Sequence, residues 1–173
     1  GLHRRGKSGK SRCSRNQTSR RSSVLCKNII LGLEKQHALK TKILKGRGVV
    51  SGRCKGAALV STKPLSFLGG VDYNSGVIIE KGHDLKGESV KGKVLCFPYG
   101  HGSTVGSYVL YSLVKKGVGP KAIVNQVADS VVVVGAIIAE IPMVDQIDVG
   151  QIKTGDKVEV DGNQGTVKVG GQK

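Results

Sequence analysis

The chain has 173 residues, 38% of them hydrophobic, which suits one domain with a tail, and no run approaches the ~20 apolar residues of a membrane span. Its net charge of +16 is not by itself the mark of a nucleic-acid protein. Residues 1–45 hold 13 Lys/Arg and one acid, Glu34, whereas residues 46–173 hold 15 Lys/Arg against 11 acids, so the body is only mildly basic. Four cysteines, Cys13, Cys26, Cys54 and Cys96, lack any CxxC spacing and support neither a disulfide framework nor a zinc site, which points to reduced thiols in the cytoplasm.

In chain order, residues 1–23 are rich in Ser, Arg, Lys and Gly, and a basic tail expected to be disordered extends over residues 1–42. The GKS echo at Gly6–Ser11 lacks the spacing and preceding strand of a phosphate-binding loop. Val24–Leu33, interrupted by Lys27 and Asn28, is not a signal segment. Because the chain begins with Gly, the tail is read as an upstream or fragmentary piece.

The domain is expected over residues 43–173. Gly48–Gly56 and Ala57–Ser61 read as two short strands turning at Lys55-Gly56, Gly76–Glu80 as another, and Lys93–Pro98 as a buried one containing Cys96. Tyr108–Lys116 carries Val109, Leu110, Leu113 and Val114 at helical spacing. Lys121–Asn125 is a short strand; Val131–Glu140 fits either a strand or a buried helix. A closing hairpin joins Lys157–Val160 to Gly165–Val169 across Asp161-Gly162-Asn163. This order predicts a compact α/β domain.

Two loops could carry chemistry. Lys63–Asp72 holds Ser66 between Pro64, which fixes the entry, and Gly69-Gly70, which allow positive φ or close backbone approach. A loop stiffened at both ends can hold a hydroxyl in place, although an isolated loop serine is usually only a turn residue. The second, Tyr99–Ser107, places Gly100, His101, Gly102, Ser103 and Thr104 ahead of a helix expected to start near Thr104. Curled amides and the positive end of a helix suit a phosphate or carboxylate, and a Ser/Thr-capped turn is the plain alternative. His83, in a polar connector, is expected to be solvated. A Ser66–His101–Asp72 triad is conceivable without a GxSxG elbow. Asp72, Glu80, Asp84 and Glu88 are candidate acids of the kind that usually solvate a surface, while Arg47, Arg53 and Lys63 could meet an acidic substrate.

The ordered segments Gly46–Gly52, Ala58–Ser61, Pro64–Asp72, Gly102–Leu110, Ala136–Ile138 and Ile141–Asp145 together resemble the small subunits of archaeal phosphomevalonate dehydratases, in the aconitase X family. The resemblance implies a swivelling β/β/α domain like the mobile domain of aconitase. It also implies a large-subunit partner that carries an iron–sulfur cluster, no cofactor or metal on this chain, and a site shared between the two. The implied reaction dehydrates (R)-5-phosphomevalonate to trans-anhydromevalonate 5-phosphate, with Ser66 as proton acceptor. Gly69, Gly70, His101, Gly102, Ser103 and Thr104 are then expected to meet the small phosphorylated substrate. Neither a membrane nor nucleic acid is expected as a partner. The competing readings are a related dehydratase acting on cis-3-hydroxy-L-proline, a non-catalytic nucleic-acid binder using the basic tail, and a lone serine hydrolase.

Overall fold

A computed structural model describes residues 41–170. The tail expected over residues 1–42, with Cys13 and Cys26, therefore lies almost wholly outside the described residues. Among the described residues, eight strands and two α-helices follow in the order β1 (Lys42–Lys45), β2 (Arg47–Val50), β3 (Arg53–Val60), β4 (Val94–Phe97), α1 (Gly106–Lys115), β5 (Ala122–Asn125), α2 (Ser130–Ala139), β6 (Met143–Asp145), β7 (Lys157–Asp161) and β8 (Thr166–Gly170). Their lateral order is β1-β8-β7-β3-β4-β5-β6-β2.

β3 changes partner half-way. Arg53–Ala57 pairs antiparallel with β7, whereas Ala58–Val60 pairs parallel with β4. β4, β5 and β6 continue in parallel, and β2 closes that edge antiparallel to β6. Strand periodicity sends alternate side chains to opposite faces, so these central strands feed two cores. Leu59, Leu95, Phe97, Ile123 and Met143 join Leu110 and Leu113 of α1 and Val132 and Ala136 of α2. Val94, Cys96, Ala122, Val124 and Val144 instead meet Val158, Val160, Val167 and Val169 of the β7–β8 hairpin. A strand buried on both faces must be apolar throughout, which is why β4 reads as an uninterrupted Val-Leu-Cys-Phe. The layers are therefore β/β/α.

The segment over 131–140, which periodicity left undecided, is the helix α2. Asp129 caps it by accepting the Val131 N–H at 2.9 Å, and Glu140 ends it in the left-handed region at φ 56°. Its buried residues are Val132, Gly135, Ala136 and Ala139, a helical spacing carried partly by small residues. The large apolar residues Val134, Ile137 and Ile138 face outward and hide that pattern in the sequence. Gly135 brings the helices together: a Cβ there would stand 2.9 Å from Leu110 Cδ2 and 3.2 Å from Ser107 Cα.

Two expectations are corrected. The turn falls at Ser51-Gly52, not at Lys55-Gly56, so residues 53–60 form one continuous strand held by both β7 and β4. Gly76–Glu80 forms only isolated bridges, Val71 with Ile78 and Val77 with Ser89, because its amides are spent on the Ser66 loop and on Glu88 rather than on a ladder.

Candidate functional site

The Ser66 loop leaves the end of β3, and the glycine loop leaves the end of the adjacent parallel strand β4. The two run side by side: Leu65 bridges Gly100, the Leu65 N–H donates to Tyr99 O at 3.3 Å, and the His101 N–H donates to Leu65 O at 3.2 Å. This is the carboxyl edge of the parallel strands, where α/β folds commonly build sites.

Ser66 donates its hydroxyl to Leu68 O at 3.0 Å and its N–H to Glu80 Oε2 at 3.2 Å. The paired glycines after it have different duties. Gly69 takes φ +78° and has open space where a Cβ would be. Gly70 has no such room, since a Cβ would collide with Ser66 O and stand 2.8 Å from Glu80 Oε2. Gly70 O also accepts the N–H groups of Ile79 (2.8 Å) and Glu80 (3.2 Å), so the turn is fastened from beneath.

The glycine loop meets this turn at Gly102. With φ +104°, a Cβ on Gly102 would lie 2.8 Å from Ser66 Oγ. His101 is drawn aside, its Nε2 3.3 Å from Glu80 Oε1. Among the described residues, the amides of Gly102, Ser103 and Thr104 donate to no protein acceptor. The Ser/Thr cap of the plain alternative is absent from α1, whose N-cap is Val105 with no side-chain bond. Ser103 Oγ instead accepts the Val105 N–H at 3.3 Å, and Ser107 Oγ donates to Thr104 O at 2.7 Å. The first amides of α1 are already taken, Gly106 by Ser103 O, Ser107 by Thr104 O and Tyr108 by Val105 O, so the free donors are those of residues 102–104, just ahead of the positive end of the helix.

Other sequence candidates are bound elsewhere. Asp72 accepts the Ser75 hydroxyl and the Asn74 N–H, which hold its carboxyl below the usual aspartate range and close a local turn; it does not reach His101, and no Ser66–His101–Asp72 triad forms. Arg47 grips buried Asp145 with two bonds, Nε at 3.0 Å and Nη2 at 2.6 Å, and Arg53 pairs with Asp161 at 2.8 Å. Both guanidinium groups thus serve the sheet. Lys63 donates to Gly82 O.

A family profile described as the aconitase X swivel domain matches residues 43–169. The chain belongs to the aconitase X swivel-domain family. The phosphomevalonate dehydratase small subunit of Pyrococcus furiosus is 57% identical to it over 126 residues, covering 73% of this chain and 94% of that relative. The protein so named from Methanocaldococcus jannaschii is 56% identical over 126 residues, with 73% and 96% covered. Among solved structures, the holo-form crystal structure of Thermococcus kodakaraensis aconitase X superposes with a TM-score of 0.73 at 52% identity, covering 74% of this chain and 98% of that one.

This aconitase X swivel domain contains one cluster that looks catalytic and is not arranged to be so. His83, expected in solvent, is buried; its Nε2 lies 3.3 Å from Ser61 Oγ and its Nδ1 3.2 Å from Asp84 Oδ1, the connectivity of a hydrolase triad. The Leu85 N–H, however, donates to Nδ1 at 3.1 Å, which places the ring proton on Nε2, facing the serine. A histidine that donates to the hydroxyl cannot take its proton. Ser61 moreover accepts the Lys63 N–H at 2.9 Å and is 1% exposed. Burial pushes the Asp84 carboxyl up, but bonds from Ser61 Oγ, Thr62 N–H and Thr62 Oγ1 outweigh it and hold the group below the ordinary range. The cluster pins the start of the Ser66 loop to residues 82–85.

Sequence reasoning undervalued Glu80. It stood among several acids of a polar stretch, and no spacing links residues 66, 80 and 101. The signal that could have raised it is Gly70, which leaves space for a carboxylate beside a rigid turn.

Proposed function

We propose that this chain is the small subunit of a phosphomevalonate dehydratase, which removes water from (R)-5-phosphomevalonate to give trans-anhydromevalonate 5-phosphate in the archaeal mevalonate route to isoprenoids. The observation that carries this reading is the meeting of Ser66 with Gly102, in a chain 57% identical to a protein of that name along 94% of the relative's length. Ser66 is the proton acceptor. Its hydroxyl lies on a turn fixed by Glu80 and Gly70, 2.8 Å from where a Cβ on Gly102 would stand, beside the loop that carries the free amides of residues 102–104. Removal of a proton beside a carboxylate demands a strong base, and a serine alkoxide serves only where nearby dipoles stabilise it. The same amides hold a substrate anion, phosphate or carboxylate, against the start of α1.

The reading requires a partner. Among the described residues no three His, Cys, Asp or Glu side chains converge to hold a metal ion, and Cys96 is sealed within β4. In this proposal the iron–sulfur cluster is carried by the large subunit, where it would assist departure of the hydroxyl. Two concavities of about 500 and 210 Å³, the first beside Lys55 and Lys168 and the second beside Thr62 and Asp148, contain no residue of the Ser66 site. Ser66 is half-buried beside the exposed residues 101–104, which in this proposal the large subunit covers.

The test is co-expression with the large subunit, co-purification, and an assay for water loss from phosphomevalonate. Turnover by the pair, with none from either chain alone and none after Ser66→Ala, is expected. Activity on cis-3-hydroxy-L-proline without activity on phosphomevalonate would overturn the substrate assignment; full turnover by Ser66→Ala would overturn the role of the serine.

A further inference from the structure

We propose that Glu80 is a positioning residue for this site, a single carboxylate that fastens the serine loop to the glycine loop and so fixes where the Ser66 hydroxyl stands. The proposal rests on the reading of Ser66 as proton acceptor and adds the group that holds it in register. Oε2 accepts the Ser66 N–H at 3.2 Å, and Oε1 faces His101 Nε2 at 3.3 Å. Ser66, Glu80 and His101 come from three separate segments, and residue 102, next to the histidine, is the one whose backbone abuts Ser66 Oγ.

An exposed ion pair would deserve little weight, because solvent screening and side-chain entropy leave such pairs near zero net effect. Glu80 differs in three respects. Its side chain is only 25% exposed. Its own N–H is tied to Gly70 O, so the backbone that carries it is already fixed to the turn it braces. And Gly70 lacks the Cβ that would occupy the space taken by Oε2. The arrangement has a chemical consequence. Nε2 of His101 is engaged by the carboxylate, while the amides of residues 102–104 keep no protein acceptor and remain available to a substrate anion. Without Glu80, the Ser66 amide loses its acceptor, and the hydrogen bonds between the two loops are reduced to those Leu65 makes with Tyr99 and His101. A base displaced by ~1 Å from a reacting C–H loses on the order of 10²-fold in rate.

The experiment uses the full chain reconstituted with its large subunit and compares Glu80→Ala, Glu80→Gln, Ser66→Ala and the Glu80→Ala/Ser66→Ala pair. Glu80→Ala should lower kcat on the order of 10- to 100-fold with a smaller change in KM. Glu80→Gln, whose carbonyl can still accept the Ser66 N–H while its amide meets the other tautomer of His101, should recover most of that loss. On the Ser66→Ala background, removing Glu80 should cost nothing further, since a group acting through the serine has nothing left to position. In the full chain, the amide resonance of Ser66 and the ring resonances of His101 should both move in Glu80→Ala. Wild-type kcat in Glu80→Ala, with Ser66→Ala inactive, would overturn the role of Glu80 and leave that of Ser66 standing. If Ser66→Ala were itself fully active, the base assignment would fall, and the paired resonances would still decide whether Glu80 joins the loops: unmoved signals would refute the bridge.

Discussion

Gly102 and Ser66 are so closely opposed that a methyl group on the first would stand 2.8 Å from the hydroxyl oxygen of the second. The contact explains why the glycine loop needs a residue without a side chain at this point, for a reason of space as well as of its φ of +104°.

Gly102→Ala should therefore do two kinds of harm. The left-handed backbone becomes strained, by roughly 1–2 kcal/mol, and the added methyl displaces the serine hydroxyl. Steady-state kinetics of the reconstituted enzyme should show a fall in kcat together with a rise in KM, as base and anion cradle are disturbed at once. A change confined to thermal stability would contradict the assignment of this loop to the site.

Gly135→Val should loosen the helix pair. The first added carbon already crowds Leu110 and the Ser107 backbone, and valine adds two methyls beyond it. Overpacking of this kind costs about 1–3 kcal/mol, which thermal unfolding would register as a drop of several degrees for a domain of this size.

Asp84 should make acid stability depend on one group. Its folded carboxyl titrates below the unfolded value, so its stabilising contribution is fully present above the ordinary aspartate range and is lost as pH falls through the lowered folded value. Asp84→Asn should thus be less stable than the parent near neutrality, and the difference should shrink toward strongly acidic pH. Urea unfolding across that window measures it; a constant gap would contradict the proposed linkage.

Thiol labelling should separate the two described cysteines. Burial pushes the Cys96 thiol up to about 12 and shields it within β4, whereas Cys54 is half-buried. Under native conditions at mildly alkaline pH, alkylation followed by peptide mapping should find Cys54 modified and Cys96 untouched until the protein unfolds.

The elements most legible in the sequence were those whose pattern has one physical cause. β4 is apolar throughout because both its faces are buried, and the β7–β8 hairpin is announced by Asp161-Gly162-Asn163. The Ser66 and Gly102 loops were visible as glycine-framed stretches. Their mutual contact was not, since it depends on β3 and β4 lying side by side in parallel. α2 was ambiguous because its outward face is as apolar as its inward one. His83 was misjudged because burial of a polar side chain follows from its partners, and Ser61 and Leu85 become its partners only after folding. Arg47 illustrates the converse error: a cation that looks available in sequence is claimed by Asp145, almost a hundred positions away.

The double allegiance of β3 gives the domain its mechanical character. One half is stitched to the β7–β8 hairpin and the other to β4, so neither layer can tilt without dragging the other along. The alcohol at residue 66 follows the end of this strand, and the amides at 102–104 follow the end of β4 paired beside it. Any rotation of the whole body thus delivers them to a facing surface as one pre-set tool, with the spacing between them already decided.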